Sequence, residues 1–158
     1  MSTAKPMKVA LGSDHGGFSV KQALAEALRE QGHDVVDFGT DGEDSTDYPD
    51  FGAKVAAVVS KGEVDRGVLV CGTGIGMSIV ANKFRHVRAA LVTDVYMARM
   101  AAEHNNANLL VMGARNGTVE KAREMLETWL QTPFEGGRHQ RRLEKIAELE
   151  RGLGEPEI

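Results

Sequence analysis

The sequence predicts a doubly wound, Rossmann-like α/β fold, a three-layer sandwich with a five-stranded parallel sheet and a C-terminal helical tail. Two observations support this fold class. Short apolar runs alternate with segments in which apolar residues recur every three or four positions, as strands alternate with helices in such folds. Glycine-rich or polar stretches follow the apolar runs, and ligands bind at the carboxyl ends of strands in open parallel sheets.

Five short apolar runs predict the strands, and the segments between them predict the helices. Gly32 is suited to end the first helix and Pro49 to begin the second. A breaker at 133–137 precedes a last helix that opens on Arg138. The predicted strands are 8–12, 35–38, 67–70, 87–92 and 108–112.

The size and composition are those of a single globular domain. The chain has 158 residues, of which 42% are hydrophobic and 27% charged. We predict one domain over 1–158, with a core of about 8–130 and a C-terminal arm of about 133–151. A net charge of −4 argues against a nucleic-acid partner. The single cysteine, with no apolar signal core or membrane-length run, predicts a cytoplasmic protein.

Cys71 lies where a reactive thiol is expected, between the third predicted strand and the glycine loop 72–76. Backbone N–H groups in such a loop and the dipole of the helix that follows bind anions. The same field stabilises a thiolate, the reactive form of cysteine. The alternative is that Cys71 is a small buried hydrophobe at a strand end, which is common for an isolated cysteine.

Two histidines are candidates for proton transfer. Asp14 and His15 share a glycine-flanked turn after the first strand, where they can bind a sugar hydroxyl and move a proton. Alternatively, Asp14 caps a helix beside a solvent-facing His15. His104 and Asn105 follow the fourth helix, where a histidine is also stable without any function. His33 and His86 are predicted to be surface residues.

Basic residues at the start of the last helix predict a phosphate site. Arg138 and Arg142 are four residues apart, so both can project from one helix face towards one phosphate. The alternative is a solvated basic turn paired with Glu144 and Glu148.

Two other sites are poorly supported by the spacing of the candidate residues. The loop reads Gly-x-Gly-x-Gly rather than Gly-x-Gly-x-x-Gly, although Asp94 ends the next strand near where a ribose-binding acid would lie. One cysteine and scattered histidines show no zinc-binding spacing.

Several motifs in order along the chain resemble those of the type B ribose-5-phosphate isomerases, the family that also includes the galactose-6-phosphate isomerase subunits. The resemblance covers about 8–151. The motifs are Gly12-Ser13-Asp14-His15-Gly16-Gly17, Thr46-Asp47-Tyr48-Pro49, Cys71-Gly72-Thr73-Gly74-Ile75-Gly76, Ala81-Asn82-Lys83, His104-Asn105 and Glu135-Gly136-Gly137-Arg138-His139.

The resemblance implies interconversion of ribose 5-phosphate and ribulose 5-phosphate in the pentose phosphate pathway, without a metal or other cofactor. It also implies a homodimer, or a dimer of dimers, with active sites at the dimer interface. No nucleic acid or membrane partner is expected. A six-carbon sugar phosphate, such as allose or galactose 6-phosphate, is the nearest alternative substrate. A non-catalytic module that binds sugar phosphates or nucleotides is an alternative of another class.

The resemblance also assigns roles to residues. Cys71 matches the family's catalytic base, acting as a base and not as a covalent nucleophile, and His104 matches the group that opens the furanose ring. A subgroup uses a glutamate as base and has serine for the cysteine; here Met77 occupies that glutamate position, consistent with Cys71 as base. The remaining matches are Asp14 near the ring oxygen, Thr73 with Gly72, Gly74 and Gly76 in the anion hole, His15, Arg138 and Arg142 at the phosphate, and Tyr48, Asn105 and Arg115 at other substrate positions.

Overall fold

A five-stranded sheet forms the centre of the structure, a computed structural model that describes residues 5–154. All neighbouring strands are parallel and their order is β2-β1-β3-β5-β4, which confirms the predicted sheet. The fourth strand is shorter than predicted, because only three of its residues pair with β5. The strands are β1 (Lys8–Ser13), β2 (Asp34–Asp37), β3 (Arg66–Cys71), β4 (Ala89–Leu91) and β5 (Leu109–Gly113).

Helices cover both faces of the sheet, as the doubly wound prediction requires. The helices α1, α4 and α5 contact one another on one face, while α2 and α3 contact each other on the other face. A separate apolar cluster fills the space beneath each layer. The helices are α1 (Phe18–Glu30), α2 (Tyr48–Ser60), α3 (Ile75–Ala81), α4 (Val95–Glu103), α5 (Val119–Gln131) and α6 (Arg138–Gly152).

The strand order places a crevice between β1 and β3. The chain leaves β1 towards β2 on one side and leaves β3 towards β4 on the other side. Because the two crossovers diverge, the loops that follow β1 and β3 separate and leave room at the carboxyl edge of the sheet. Asp14 follows β1 and Cys71 ends β3, so both lie at this crevice.

The C-terminal helix α6 corresponds to the predicted helical tail. It lies near the amino ends of the strands, opposite the carboxyl edge. Glu150 accepts the N–H of His86, and Arg85 donates to the carbonyl of Gly154, so α6 contacts the turn that leads into β4. Apolar side chains of α6 and of the residue after it stay largely in solvent: Ile146, Leu149 and Leu153 are 50%, 72% and 85% exposed. None of the helices in residues 5–154 is both long and apolar enough to cross a bilayer.

The prediction that His33 lies at the surface is wrong. Its side chain is 5% exposed, and its Nδ1 accepts the backbone N–H of Met7 at 3.0 Å. This bond fixes the segment that enters β1. His86 is exposed as predicted.

A buried ion pair fixes the long loop 38–47. Lys21 of α1 is 1% exposed, and its Nζ lies 2.8 and 2.9 Å from the two carboxylate oxygens of Asp37. The same ammonium donates to the carbonyl of Thr40 at 2.8 Å, and Asp37 accepts the N–H of Gly39. One cation therefore joins α1, the end of β2 and the start of the loop.

Replacing Lys21 with methionine (Lys21→Met) is expected to lower the free energy of unfolding by about 3 kcal/mol, because it leaves the Asp37 carboxylate and the Thr40 carbonyl without their buried donor. Urea denaturation followed by circular dichroism measures the change. Lys61→Met, at the exposed end of α2, is the matched control. Equal stability of the two variants would contradict the assigned role of the ion pair.

Candidate active site

The loops after β1, β3 and β5 meet at the carboxyl edge, as the sequence predicted. The N–H of Arg115 donates to the carbonyl of Gly72 at 2.9 Å. The Arg115 guanidinium covers the same glycine, since a Cβ built on Gly72 would lie 3.4 Å from its Cζ. We call Asp14, His15, Tyr48, Cys71, the loop 72–76 and Arg115 the carboxyl-edge cluster.

The glycine loop is folded against the end of β3. Cys71 is 5% exposed, and its Sγ accepts the N–H of Gly74 at 3.1 Å. Gly74 has φ +86°, and a Cβ there would lie 2.5 Å from Cδ1 of Leu91, so only glycine fits. Cys71 is thus buried, as the structural alternative required, but its sulfur also receives an N–H that stabilises a thiolate.

Thr73 lies at the exposed tip of the same loop. Its hydroxyl accepts the N–H of Ile75 at 3.3 Å, and its carbonyl accepts the side-chain amide of Asn116 at 3.3 Å. These bonds fix the loop from both sides. Apart from Ile75, the backbone N–H groups in the first turn of α3 have no intrahelical acceptor, and such groups can bind an oxyanion.

Asp14 caps the short turn that follows β1. Its Oδ1 accepts the N–H of Gly17 at 3.0 Å. This is the capping bond that the alternative interpretation of Asp14 predicted. The second carboxylate oxygen is not used by the cap and remains for a ligand. The backbone of this turn lies close to the glycine loop, since a Cβ on Gly16 would be 3.7 Å from the nitrogen of Gly72.

His15 is held by Thr46 and is not a free, solvent-facing side chain. The N–H of Thr46 donates to Nδ1 of His15 at 3.1 Å, and the N–H of His15 donates to the Thr46 hydroxyl at 3.2 Å. Because Nδ1 accepts a hydrogen bond, a neutral ring carries its proton on Nε2. His15 therefore presents an N–H donor to a ligand.

Tyr48 begins α2 and contacts the first turn of α3. A Cβ on Gly76 would lie 2.5 Å from Cζ and 2.9 Å from the hydroxyl of Tyr48, so the ring rests directly on this glycine. Tyr48 is 39% exposed, so part of its ring remains accessible.

The structure places the other predicted site residues at the opposite edge. The crossover helix α4 is capped by Asp94 at its start, just after β4, and by His104 at its end, just before β5. Nine helical residues span about 14 Å, so His104 lies near the amino ends of the strands. We call His104, Asn105, Glu135, Arg138, His139 and Arg142 the amino-edge cluster.

The histidines of this cluster are stacked. The ring centroids of His104 and His139 are 4.1 Å apart and their planes differ by 13°. Nε2 of His104 lies 3.4 Å from a carboxylate oxygen of Glu103, and Nε2 of His139 lies 3.7 Å from one of Glu135. Burial, and then the charges of His104 and Arg138, lower the pKa of His139, while Glu135 opposes them.

Backbone and side-chain bonds hold the two segments of the amino-edge cluster in place. The N–H of Glu135 donates to the carbonyl of Glu103 at 3.0 Å, which brings the arm to the end of α4. The Arg88 side chain donates to the carbonyl of Asn106 at 2.8 Å, and its burial, with Arg66 nearby, lowers the pKa of Arg88. Asn105, between these anchors, is exposed.

Arg138 and Arg142 are both exposed. They lie four residues apart at the start of α6, so they share one face of the helix as predicted. Within residues 5–154 neither forms an ion pair with Glu144 or Glu148, and Glu144 instead accepts a bond from Gln140 at 3.2 Å. The structural alternative of a paired basic turn is therefore absent from this part of the chain.

The structure does not favour Asp94 as a ribose-binding acid. Its Oδ1 accepts the N–H of Met97 at 2.7 Å, which is the N-cap bond of α4. This bond explains an aspartate at that position without a nucleotide.

Sequence reasoning missed three contributors, namely Thr46, Glu135 and His139. All three residues lie inside the motifs quoted above. No local pattern showed that Thr46 would contact His15, or that Glu135 and His139 would lie beside His104. The spatial group of His104, Glu135 and His139 has no zinc-like spacing because its members come from separate segments.

Several proteins that are similar to this chain in sequence and fold are named as isomerases of sugar phosphates. The family model described as Ribose/Galactose Isomerase matches residues 9–146. Ribose-5-phosphate isomerase B of Escherichia coli is 44% identical over 143 residues, covering 90% of this chain and 96% of that protein.

Solved structures agree with these matches. A Clostridium thermocellum ribose-5-phosphate isomerase B superposes with a TM-score of 0.92 and 51% identity, covering 94% of this chain and 100% of that one. The Mycoplasma genitalium enzyme with bound ribulose 5-phosphate has a TM-score of 0.88 and 40% identity, covering 91% of this chain and 96% of that one. With its five-stranded parallel sheet, its glycine loop after β3 and these matches along almost its whole length, the chain belongs to the Ribose/Galactose Isomerase family.

Proposed function

We propose that this chain is an aldose–ketose isomerase that interconverts ribose 5-phosphate and ribulose 5-phosphate in the cytoplasm, without a metal cofactor. The observation that carries the proposal is the Cys71 sulfur, held 3.1 Å from the Gly74 nitrogen at the crevice between β1 and β3. Membership of the isomerase family and the ribulose 5-phosphate bound by the Mycoplasma genitalium relative support it.

Proton transfer takes place at the carboxyl-edge cluster. The Cys71 thiolate removes the proton from carbon two, and the electron pair of that C–H bond forms the carbon–carbon double bond of the enediolate. The former carbonyl oxygen takes the negative charge. Donors of the loop 72–76, with Thr73 at its tip, stabilise that oxygen, and such preset donors lower a barrier by several kcal/mol. Cys71 then returns the proton to carbon one while carbon two becomes the new carbonyl, and the hydroxyl proton of oxygen two passes to the negatively charged oxygen one, which completes the ketose.

Ring opening and phosphate binding use both clusters. His104 acts on the furanose ring as acid or base, and Asp14 binds the sugar near the ring oxygen with its uncapped carboxylate oxygen. His15 donates from Nε2 to the phosphate, and Arg138 and Arg142 supply its cationic contacts. Tyr48, Asn105 and Arg115 bind other parts of the sugar phosphate. The phosphate is a remote anchor whose binding energy orients the reacting carbons.

We propose that a second copy of the chain completes the site. In one chain the two clusters lie at opposite edges of the sheet, separated by the length of α4. A pentose phosphate is too short to contact both clusters of the same chain. A dimer that sets the carboxyl edge of one copy against the amino edge of the other builds two sites, and two such dimers can associate further.

Exposed apolar side chains support this dimer. Ile75 and Ile79, one turn apart on α3, are 56% and 58% exposed, and Tyr96 at the start of α4 is 63% exposed. Ile75 directly follows the glycine loop and Tyr96 lies shortly after β4, so both are near the carboxyl edge of the sheet. Together with the exposed apolar side of α6, they form surface that a second copy would cover.

Two alternatives are weaker. A six-carbon substrate remains chemically compatible with the loop and the arginines, but the relatives described above are named for ribose 5-phosphate. A non-catalytic binding module does not require a thiol and a histidine, and the matching family is one of isomerases.

Turnover of ribose 5-phosphate in excess EDTA tests the proposed chemistry. Wild type is expected to remain active, whereas Cys71→Ala is expected to lose at least about 100-fold in kcat because a positioned base contributes roughly 10²–10⁴-fold. Ser60→Ala, at the end of α2, removes an equally small polar group and serves as control. Full activity in Cys71→Ala would remove the assigned base, and loss of wild-type activity in EDTA would contradict metal independence.

Mixing two inactive variants tests the shared site. Cys71→Ala and His104→Ala are each expected to be nearly inactive. A heterodimer of the two restores one intact site, so a randomly exchanged equal mixture is expected to regain about a quarter of wild-type activity, given a two-fold interface. Differently tagged chains, co-purified through both tags, verify the exchange. No recovery in a verified heterodimer, or a monomer by light scattering, would argue for a site within one chain.

Substrate length is tested by comparing kcat/KM for ribose 5-phosphate and allose 6-phosphate. An additional carbon separates the phosphate from the reacting carbons, and one methylene in a fitted site changes kcat/KM by about 10–200-fold. We expect a preference of at least about tenfold for the pentose. A preference for allose 6-phosphate would overturn the assigned substrate but not the assigned reaction.

A further inference from the structure

We propose that His104, Glu135 and His139 bind a divalent transition metal such as zinc, and that this metal inhibits the enzyme by occupying His104. One potential ligand atom from each residue lies within 4.8 Å of the other two. The inhibition, though not the binding, rests on the proposed function, because it requires that His104 act on the sugar.

His139 provides an independent indication of a ligand. Its side chain is only 5% exposed, yet its Nε2 is buried without a hydrogen-bond partner. A buried polar atom is rarely left unpaired, because the lost hydration is not replaced. The nearest acidic oxygen, on Glu135, is 3.7 Å away, which is too long for a hydrogen bond. A metal between Nε2 and this oxygen would satisfy both.

The distances nearly fit tetrahedral coordination. Zinc binds imidazole nitrogen and carboxylate oxygen at about 2.0–2.2 Å, which places neighbouring ligand atoms about 3.4 Å apart. The separation of 3.7 Å between His139 and Glu135 is already close to this value. The third ligand must approach slightly, and the side chains of His104 and Glu135 are 35% and 49% exposed and so have room to turn.

The stacked rings must open for metal binding. Their planes differ by 13°, so their in-plane lone pairs run side by side and do not converge. Rotation of the His104 ring about its Cβ–Cγ bond, a soft torsion, directs its lone pair towards His139. That rotation removes His104 from the position in which it meets the sugar.

The donor set and the local charge define the class of metal. Two imidazoles and a carboxylate suit zinc, cobalt, nickel or copper, whereas magnesium and calcium prefer oxygen ligands. Arg138 and Arg142 begin the same helix and oppose a cation, but Glu103, 3.4 Å from His104, and Glu135 offset them. Glu103 can also provide a fourth oxygen after a small movement.

Cobalt titration of the full-length protein, stripped with EDTA and desalted, tests binding without reference to activity. The visible absorption of tetrahedral cobalt is expected to appear and to be displaced by zinc. Glu135→Gln is expected to weaken cobalt binding at least about tenfold. Removing a residue that only hydrogen-bonds to a metal-coordinating side chain already lowers metal affinity by about 10–100-fold. Glu148→Gln, exposed on α6, is the matched control and should bind as wild type does.

Cys71 is the main competing ligand, so Cys71→Ala is titrated in parallel. Unchanged cobalt absorption in Cys71→Ala supports the three assigned ligands, and loss of absorption would overturn them. Unchanged affinity in Glu135→Gln would also overturn the site.

Inhibition is measured in the same variants with ribose 5-phosphate. Zinc is expected to inhibit wild type and Glu148→Gln reversibly, with recovery in EDTA, and Glu135→Gln should need at least about tenfold more zinc. Cobalt binding in a protein that does not isomerise sugars would refute the proposed function and leave the metal site standing. An active enzyme that binds no cobalt would refute the metal site alone.

Discussion

The parallel alignment of the strands is the constraint on which the rest of this structure depends. Parallel pairing places every strand's carboxyl end at one edge, so the loops after β1, β3 and β5 collect Asp14, Cys71 and Arg115 there. The same pairing requires each crossover helix to return the chain to the other edge, and His104 follows such a helix. A single copy therefore separates the groups that we propose to act on one sugar phosphate, and the proposed dimer would bring them together.

Close backbone approach gives the glycine loop its chemistry. Gly74 packs against Leu91 and Gly76 against Tyr48, at distances that leave no space for a Cβ. The tight loop directs the Gly74 N–H at the Cys71 sulfur while the sulfur stays buried at the strand end. The two interpretations of Cys71 therefore describe the same geometry: a sulfur buried at a strand end that also accepts a backbone N–H.

Local patterns were sufficient to predict the elements and one of the two clusters. Apolar periodicity predicts strands and helices, and the strand ends alone bring Asp14 and Cys71 to one edge. Contacts between distant segments leave no such pattern. Thr46 reaches His15 across 31 positions of the sequence, and burial of His33 depends on the N–H of Met7. The stacking of His104 on His139 depends on the backbone bond from Glu135 to Glu103, which no spacing rule includes.

A histidine that opens a sugar ring has to be accessible and able to exchange a proton, and these are also the properties of a good metal ligand. His104 lies at a helix end, is partly exposed and has the Glu103 carboxylate 3.4 Å from its Nε2, so it is accessible to either ligand. The contact with His139 limits this reactivity, since the stacked ring keeps the two lone pairs from converging. The stacked pair can therefore hold His104 in the orientation proposed for the sugar, and in the proposed site the metal and the sugar would compete for two orientations of one ring.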